Sequence, residues 1–173
     1  EVDEAGKVYN TSFVFDSQGR QVARHRKMHL FDIDVKGGQS FRESATFTPG
    51  NEVTVFETPW CKMGLCICFD FRFPELARLM VLQGAKVLVV PAAFNMTTGP
   101  AHWELMFRQR AVDGQSYGNS MVVSPWGDVV WRADEKPQVH VVEVDLDRVE
   151  EVRQLPLLSA RRTDVYTVEQ KQP

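Results

Sequence analysis

Polar and apolar side chains alternate from Asn10 to Asp16 (NTSFVFD) and stop at Ser17-Gln18-Gly19, which predicts a strand running into a turn. Gln21 to Arg26 resumes an extended, basic stretch, so the two segments predict a hairpin that delivers Lys27 to one end of a sheet. Residues 32–51, with Gly37-Gly38 and Pro49-Gly50 and no helical period, read as one long loop, and such loops in compact domains are often functional. Alternation returns in Val53 to Phe56 and Met63 to Phe69, two predicted strands joined at Thr58-Pro59. In the second, Met63, Leu65, Ile67 and Phe69 share one face, and Gly64, Cys66 and Cys68 share the other, which is unusually small.

Pro74 suits the first turn of a helix, Leu76, Leu79 and Met80 mark its apolar face, and Gly84 stops it. Lys86 to Pro91 (KVLVVP) is a continuous apolar run of the kind found in fully buried strands. Strand, helix, strand with short links predicts a βαβ unit, a partly parallel sheet and the α/β class. Pro100 opens a second helix with Trp103, Met106, Phe107 and Ala111 on one stripe and Gly114 at its end. Met121 to Ser124 and Val129 to Trp131 predict a hairpin, Val139 to Val144 a last strand, and the charged tail from Asp147 a path across the surface.

Composition narrows the function classes. The chain has 173 residues, 43% hydrophobic and 25% charged, with a formal charge of −3, enough for one domain with a sizeable core. Acidic and basic residues are interleaved without a basic stripe, which argues against a nucleic-acid partner. The longest apolar run, Val87 to Phe94, is far short of the roughly 20 residues that cross a bilayer, so no membrane span is expected. The N-terminal EVDEAGKVYN has no apolar signal region and no initiator Met, which predicts a processed or truncated start.

The cysteines Cys61, Cys66 and Cys68 form an odd, clustered set. Strand residues two apart lie about 6.6 Å from each other, the outer limit of disulfide geometry, so reduced thiols in a cytoplasmic compartment are expected. With no Cys-x-x-Cys and no His pair at zinc spacing, no metal is expected either.

Cys68 falls where its strand gives way to the turn before Pro74, and open α/β sheets place ligands at the carboxyl ends of strands. A thiol beside a cation there ionises readily and becomes a nucleophile; the plainer reading is a small buried hydrophobe. Lys27 and Glu43 read by default as a solvated lysine and a surface carboxylate, and spacing alone does not bring either to Cys68. A pairing of Cys68 with His102 would give a thiol-protease-like arrangement.

Arg26-Lys27-Met28-His29-Leu30-Phe31-Asp32, Phe41-Arg42-Glu43-Ser44 with Pro49-Gly50, GLCICFDFRFPE (Gly64 to Glu75), PAAFNMTTGPAHWEL (Pro91 to Leu105) with RQRAVD, SPWGD and RRTDVY occur in the order and spacing of one family. Taken together they resemble the nitrilase, or carbon–nitrogen hydrolase, superfamily over nearly the whole chain. HLFDIDV and FNMTTGPAHWEL look most like its ω-amidase branch, with the deaminated-glutathione amidases as nearest neighbours.

The resemblance implies an αββα four-layer sandwich, incomplete in this chain, in a protein that is dimeric or larger through its helical layer. It implies a thiol amidohydrolase that needs no cofactor and releases ammonia from ω-amides of short dicarboxylic α-keto acids, such as 2-oxoglutaramate, through a cysteinyl thioester. It assigns Cys68 as nucleophile, Lys27 and the Phe69 backbone N–H as oxyanion donors, and Glu43 as the group that holds and polarises the lysine. Arg72 is assigned to the substrate carboxylate.

Residues 1–173 are expected to form a single hydrolase domain that departs from the family twice. The section carrying the general-base glutamate is expected to lie ahead of this chain, and a strand-bearing segment after Asp113 is expected to be missing. Without that base this chain alone is expected to be inactive or severely impaired, and both departures keep a rival reading open, a non-catalytic fragment that associates with itself or a partner.

Overall fold

The computed structural model describes residues 1–34, 40–93, 99–113, 120–134, 136 and 138–171. Strands β1 (Thr11–Phe15) and β2 (Gln21–Arg26) form the expected antiparallel hairpin. β2 lies against β5 (Thr54–Glu57), which pairs antiparallel with β6 (Lys62–Leu65). Helix α1 (Pro74–Leu82) then returns the chain so that β7 (Val87–Val89) pairs parallel to β6, which is the βαβ unit read from the sequence. Helix α2 (Gly99–Asp113) follows, and β8 (Met121–Val123) and β9 (Val129–Arg132) form a second hairpin.

The main core lies between α1, α2, β7 and β8, with Phe71, Met80, Leu88, Phe107 and Met121 excluded from solvent. Phe71 and Phe107 meet at 4.3 Å between ring centroids, so the segment after β6 is fastened to α2 by aromatic contact. Gly64 explains the small face of its strand: a Cβ there would lie 2.7 Å from both Leu88 and Met80 side chains. Only glycine lets α1 and β7 close over β6 at that point.

Four sequence expectations change. The long loop 32–51 contains a short hairpin, β3 (Asp32–Asp34) with β4 (Ser40–Arg42), followed by a 3₁₀ turn at Glu43–Ala45. The strand expected to reach Phe69 ends at Leu65, and Cys68–Arg72 is a 3₁₀ helix, because Asp70 caps the backbone at Ile67 and turns the chain. Val139 to Val144 carries no strand ladder; Val139 and Val141 are 97% and 90% exposed, and His140 is held by stacking on Trp131. The tail from Asp147 begins as helix α3 (Asp147–Arg153), which buries Val149 and Val152 and donates from Arg153 to the Ala85 carbonyl at 3.0 Å.

The expected stop of α2 at Gly114 and the expected gap after Asp113 fall at residues 114–119, outside the described residues. No helix among the described residues is long and apolar enough to cross a membrane.

Candidate active site

The site begins where β2 ends. The Lys27 N–H donates to the Asn10 carbonyl at 2.8 Å, and the Gly50 N–H donates to the Lys27 carbonyl at the same distance, so the backbone on both sides of the lysine is fixed. Pro49-Gly50 is needed here because a Cβ at Gly50 would lie 2.2 Å from the Arg26 carbonyl oxygen. The lysine side chain is buried and its Nζ is hydrogen-bonded to Glu43 Oε2.

Glu43 arrives on the 3₁₀ turn after β4 and is also buried. Its Oε2 accepts the Phe31 N–H at 2.6 Å and its Oε1 accepts Asn10 Nδ2 at 3.1 Å. Burial raises the carboxyl's pKa, but the hydrogen bonds from Lys27, Phe31 and Asn10 outweigh it and hold the group below the usual glutamate range. A buried ion pair is sustainable when its remaining lone pairs are satisfied in this way.

The thiol sits on the next turn. Cys68 is half-buried with φ +47°, in the left-handed region that a residue with a Cβ rarely occupies, and such strain concentrates at functional sites. Its N–H donates to the Pro91 carbonyl at 2.9 Å and its Sγ donates to the Ala93 carbonyl at 3.5 Å. Cys66, by contrast, is fully buried in the core, where burial pushes its thiol pKa well above the ordinary value. The alternation that made the two cysteines equivalent breaks between them.

What holds the turn is Asp70, whose carboxylate is completely buried. Oδ1 accepts the N–H groups of Met28 at 3.1 Å and His29 at 2.7 Å, and His29 Nδ1 at 2.8 Å. Oδ2 accepts the Ile67 N–H at 3.0 Å and His25 Nε2 at 3.1 Å. Burial raises the pKa of this acid, and the hydrogen bonds from His25, His29 and Ile67 overwhelm it, so Asp70 stays ionised far below the usual aspartate range. The segment that follows Lys27 and the turn that carries Cys68 are thereby bonded to the same carboxylate.

Aromatic rings line the remaining side. Phe69 meets Phe31 edge-on at 5.0 Å and Phe73 at 5.6 Å, and Phe73 stacks on His29 at 3.7 Å. The Arg72 guanidinium lies 5.8 Å from the Phe69 ring centroid, and its Nη1 is 3.3 Å from His102 Nδ1. The thiol–imidazole pair is therefore not the arrangement adopted: His102 faces Arg72, and the Cys68 hydrogen bond goes to a carbonyl. Among the described residues no group of three or more His, Cys, Asp or Glu is arranged to hold a metal ion.

Lys27 and Glu43, which sequence spacing left apart, are in direct contact, and Cys68, Phe69 and Arg72 share one turn that Asp70 bonds to the backbone of Met28 and His29, just after the lysine. Sequence reasoning passed over Asn10, His25, His29 and the buried role of Asp70. A signal was available in the period of two: His25, Lys27 and His29 fall on one side of an extended segment, and three polar residues in register mark a face that something polar must cover.

The carbon–nitrogen hydrolase family matches residues 1–154. The chain is 47% identical over 189 aligned positions to omega-amidase NIT2 of Mus musculus, covering 99% of the chain and 68% of the mouse protein. It is 45% identical to omega-amidase NIT2 of Homo sapiens with the same coverage. In structure it resembles Saccharomyces cerevisiae Nit3, a member of branch 10 of the nitrilase superfamily, with a TM-score of 0.81 at 39% identity, over 94% of this chain and 63% of that one. The C. elegans NitFhit protein gives a TM-score of 0.87 at 36% identity, over 96% of this chain and 46% of that one. With the family matched over residues 1–154 and these relatives at 36–47% identity, the chain belongs to the carbon–nitrogen hydrolase family and has its nitrilase-like α/β fold.

Proposed function

We propose that this chain carries the nucleophile half of a thiol amidohydrolase that releases ammonia from ω-amides of short dicarboxylic α-keto acids, in the manner its omega-amidase relatives are named for. The observation that carries the reading is the buried Lys27–Glu43 pair, with the backbone immediately after Lys27 hydrogen-bonded to Asp70 on the turn of Cys68. A lysine buried against a carboxylate is placed to donate to the oxyanion of a tetrahedral intermediate, helped by the Phe69 N–H.

Cys68 Sγ attacks the amide carbon, the C–N bond breaks, and the thiol proton leaves with the nitrogen as ammonia. Water then hydrolyses the thioester to a carboxylate and restores the thiol. Arg72 offers a planar cation to the far carboxylate of the substrate, and the Phe31, Phe69 and Phe73 rings provide an apolar wall beside it. The free thiols Cys61, Cys66 and Cys68 fit a reducing, cytoplasmic setting.

Mixing the protein with 2-oxoglutaramate and assaying ammonia tests the reading. Release that disappears in Cys68→Ala supports it; release at an unchanged rate in that variant overturns it. The second reading, a non-catalytic associating fragment, is favoured by one observation: the alignment with the mouse protein runs over 189 positions against 173 residues here, so that relative carries residues the chain lacks within the matched span. A protein that releases no ammonia and sediments as a stable multimer would support that reading instead.

A further inference from the structure

We infer that Asp70 is the positioning residue of the nucleophile: its carboxylate staples the turn carrying Cys68 to the strand end carrying Lys27 and so sets the distance between thiol and ammonium. The inference rests on the amidase reading for its kinetic consequence and on the network alone for its geometry.

Among the described residues, every group hydrogen-bonded to the Asp70 carboxylate is a nitrogen donor. Three are backbone N–H groups, of Met28, His29 and Ile67, and two are imidazole nitrogens, of His25 and His29. A backbone amide cannot reverse its role, so both oxygens of residue 70 must accept: Oδ1 for Met28 and His29, Oδ2 for Ile67. An asparagine of the same shape would have to point its NH₂ at one of those donors. Whichever way it turned, a buried N–H would lose its partner on one side of the staple and keep the full penalty of its lost solvation.

The strain at Cys68 needs such a clamp. A cysteine at φ +47° persists where the surroundings over-determine it, and here Ile67 on one side donates to Asp70 on the other, which in turn accepts from the Met28 and His29 backbone. His25 carries the clamp back into the sheet, since its Nδ1 lies 2.9 Å from Thr54 Oγ1 on β5. Thr54 serves as donor or acceptor, and its hydroxyl also lies 3.4 Å from the Arg24 carbonyl, so the link holds with His25 neutral or charged. His29 carries it outward through its stack on Phe73.

The test reads two quantities on the same folded proteins: kcat and KM for ammonia release, and the rate at which iodoacetamide labels Cys68 relative to Cys61, resolved by peptide mass. Asp70→Asn is expected to lower kcat about 100-fold with KM nearly unchanged, the scale of a misplacement near 1 Å. It is expected to change the Cys68 to Cys61 labelling ratio by about tenfold, as the loss of a hydrogen bond to a charged group would. His29→Phe keeps the stack on Phe73, removes one donor to Oδ1, and is expected to move both readouts in the same direction by roughly three- to tenfold. Both readouts at wild-type values in a folded Asp70→Asn protein overturn the inference, and if that variant does not fold, wild-type values in His29→Phe overturn it. Where the unaltered protein releases no ammonia, the labelling ratio alone decides: a wild-type ratio in folded Asp70→Asn overturns the inference, and a shifted one supports it whatever becomes of the amidase reading.

Discussion

Two segments of this chain, the one around Lys27 and the one from Val139 to Val144, are both expected to be extended and meet opposite fates. Around Lys27, each polar residue on the inward side has a partner: His25 and His29 on Asp70, Lys27 on Glu43. From Val139 to Val144, the alternate valines point into solvent and no ladder forms. Alternation describes a chain ready to pair, and pairing requires an edge that offers donors and acceptors in register. The first segment finds those groups in β1, β5 and the Cys68 turn; the second stacks His140 on Trp131, and its Glu143 and Val144 line a cavity with Val87 and Val122 without joining a ladder.

Four experiments sharpen this contrast, beginning with the largest effect. Lys27→Met leaves the Glu43 carboxylate buried without its cation, which is expected to destabilise the fold by about 3–5 kcal/mol in urea unfolding and to abolish turnover. Unfolding that matches wild type would show that the pair is solvated and would erase the difference between the two segments.

Acid titration follows. Asp70 and Glu43 have folded pKa values below their unfolded values of about 3.8 and 4.5, so each contributes stability above those values that is lost as pH falls through the folded value. The thermal midpoint is therefore expected to drop steeply below pH 4, with Asp70 worth on the order of 2–3 kcal/mol, and the drop should be shallower in Asp70→Asn. An unaltered pH slope in that variant would remove Asp70 from the account.

Gly50→Ala is expected to cost about 1–3 kcal/mol, because its Cβ meets the Arg26 carbonyl in a packed backbone crossing. Calorimetry showing no loss would mean the crossing is loose. Val141→Thr, in the unpaired segment, is expected to change stability by less than about 0.5 kcal/mol. A loss above 1 kcal/mol there would reveal a partner for the segment and end the contrast.

The sequence made the βαβ unit around α1 legible because periodicity, the Pro74 start and the Gly84 stop agree, and the structure follows all three. The turn at Cys68 was not legible as a turn: Met63 to Phe69 alternates without fault, and the strand ends early because Asp70, a residue beyond it, accepts from Ile67. Glu43 was legible only through family resemblance, since its partner Lys27 lies sixteen positions away across a hairpin that no local pattern announces. Val149 and Val152 were hidden by the charges around them, because a three-residue spacing on so short a helix carries little signal. In each case the missing information was the identity of a distant hydrogen-bond or packing partner.

The contrast between Cys66 and Cys68 has a practical consequence as well. One thiol is half-open to solvent and its neighbour two residues away is sealed in the core, so a single peptide carries both a probe of the native site and a probe of global opening. Labelling at Cys66 proceeds only in molecules whose core has parted, and its rate at rising reagent concentration passes from one set by the opening equilibrium to one set by the opening step itself. The protein thus contains its own meter of how often it comes apart, read two residues from the turn that carries Cys68.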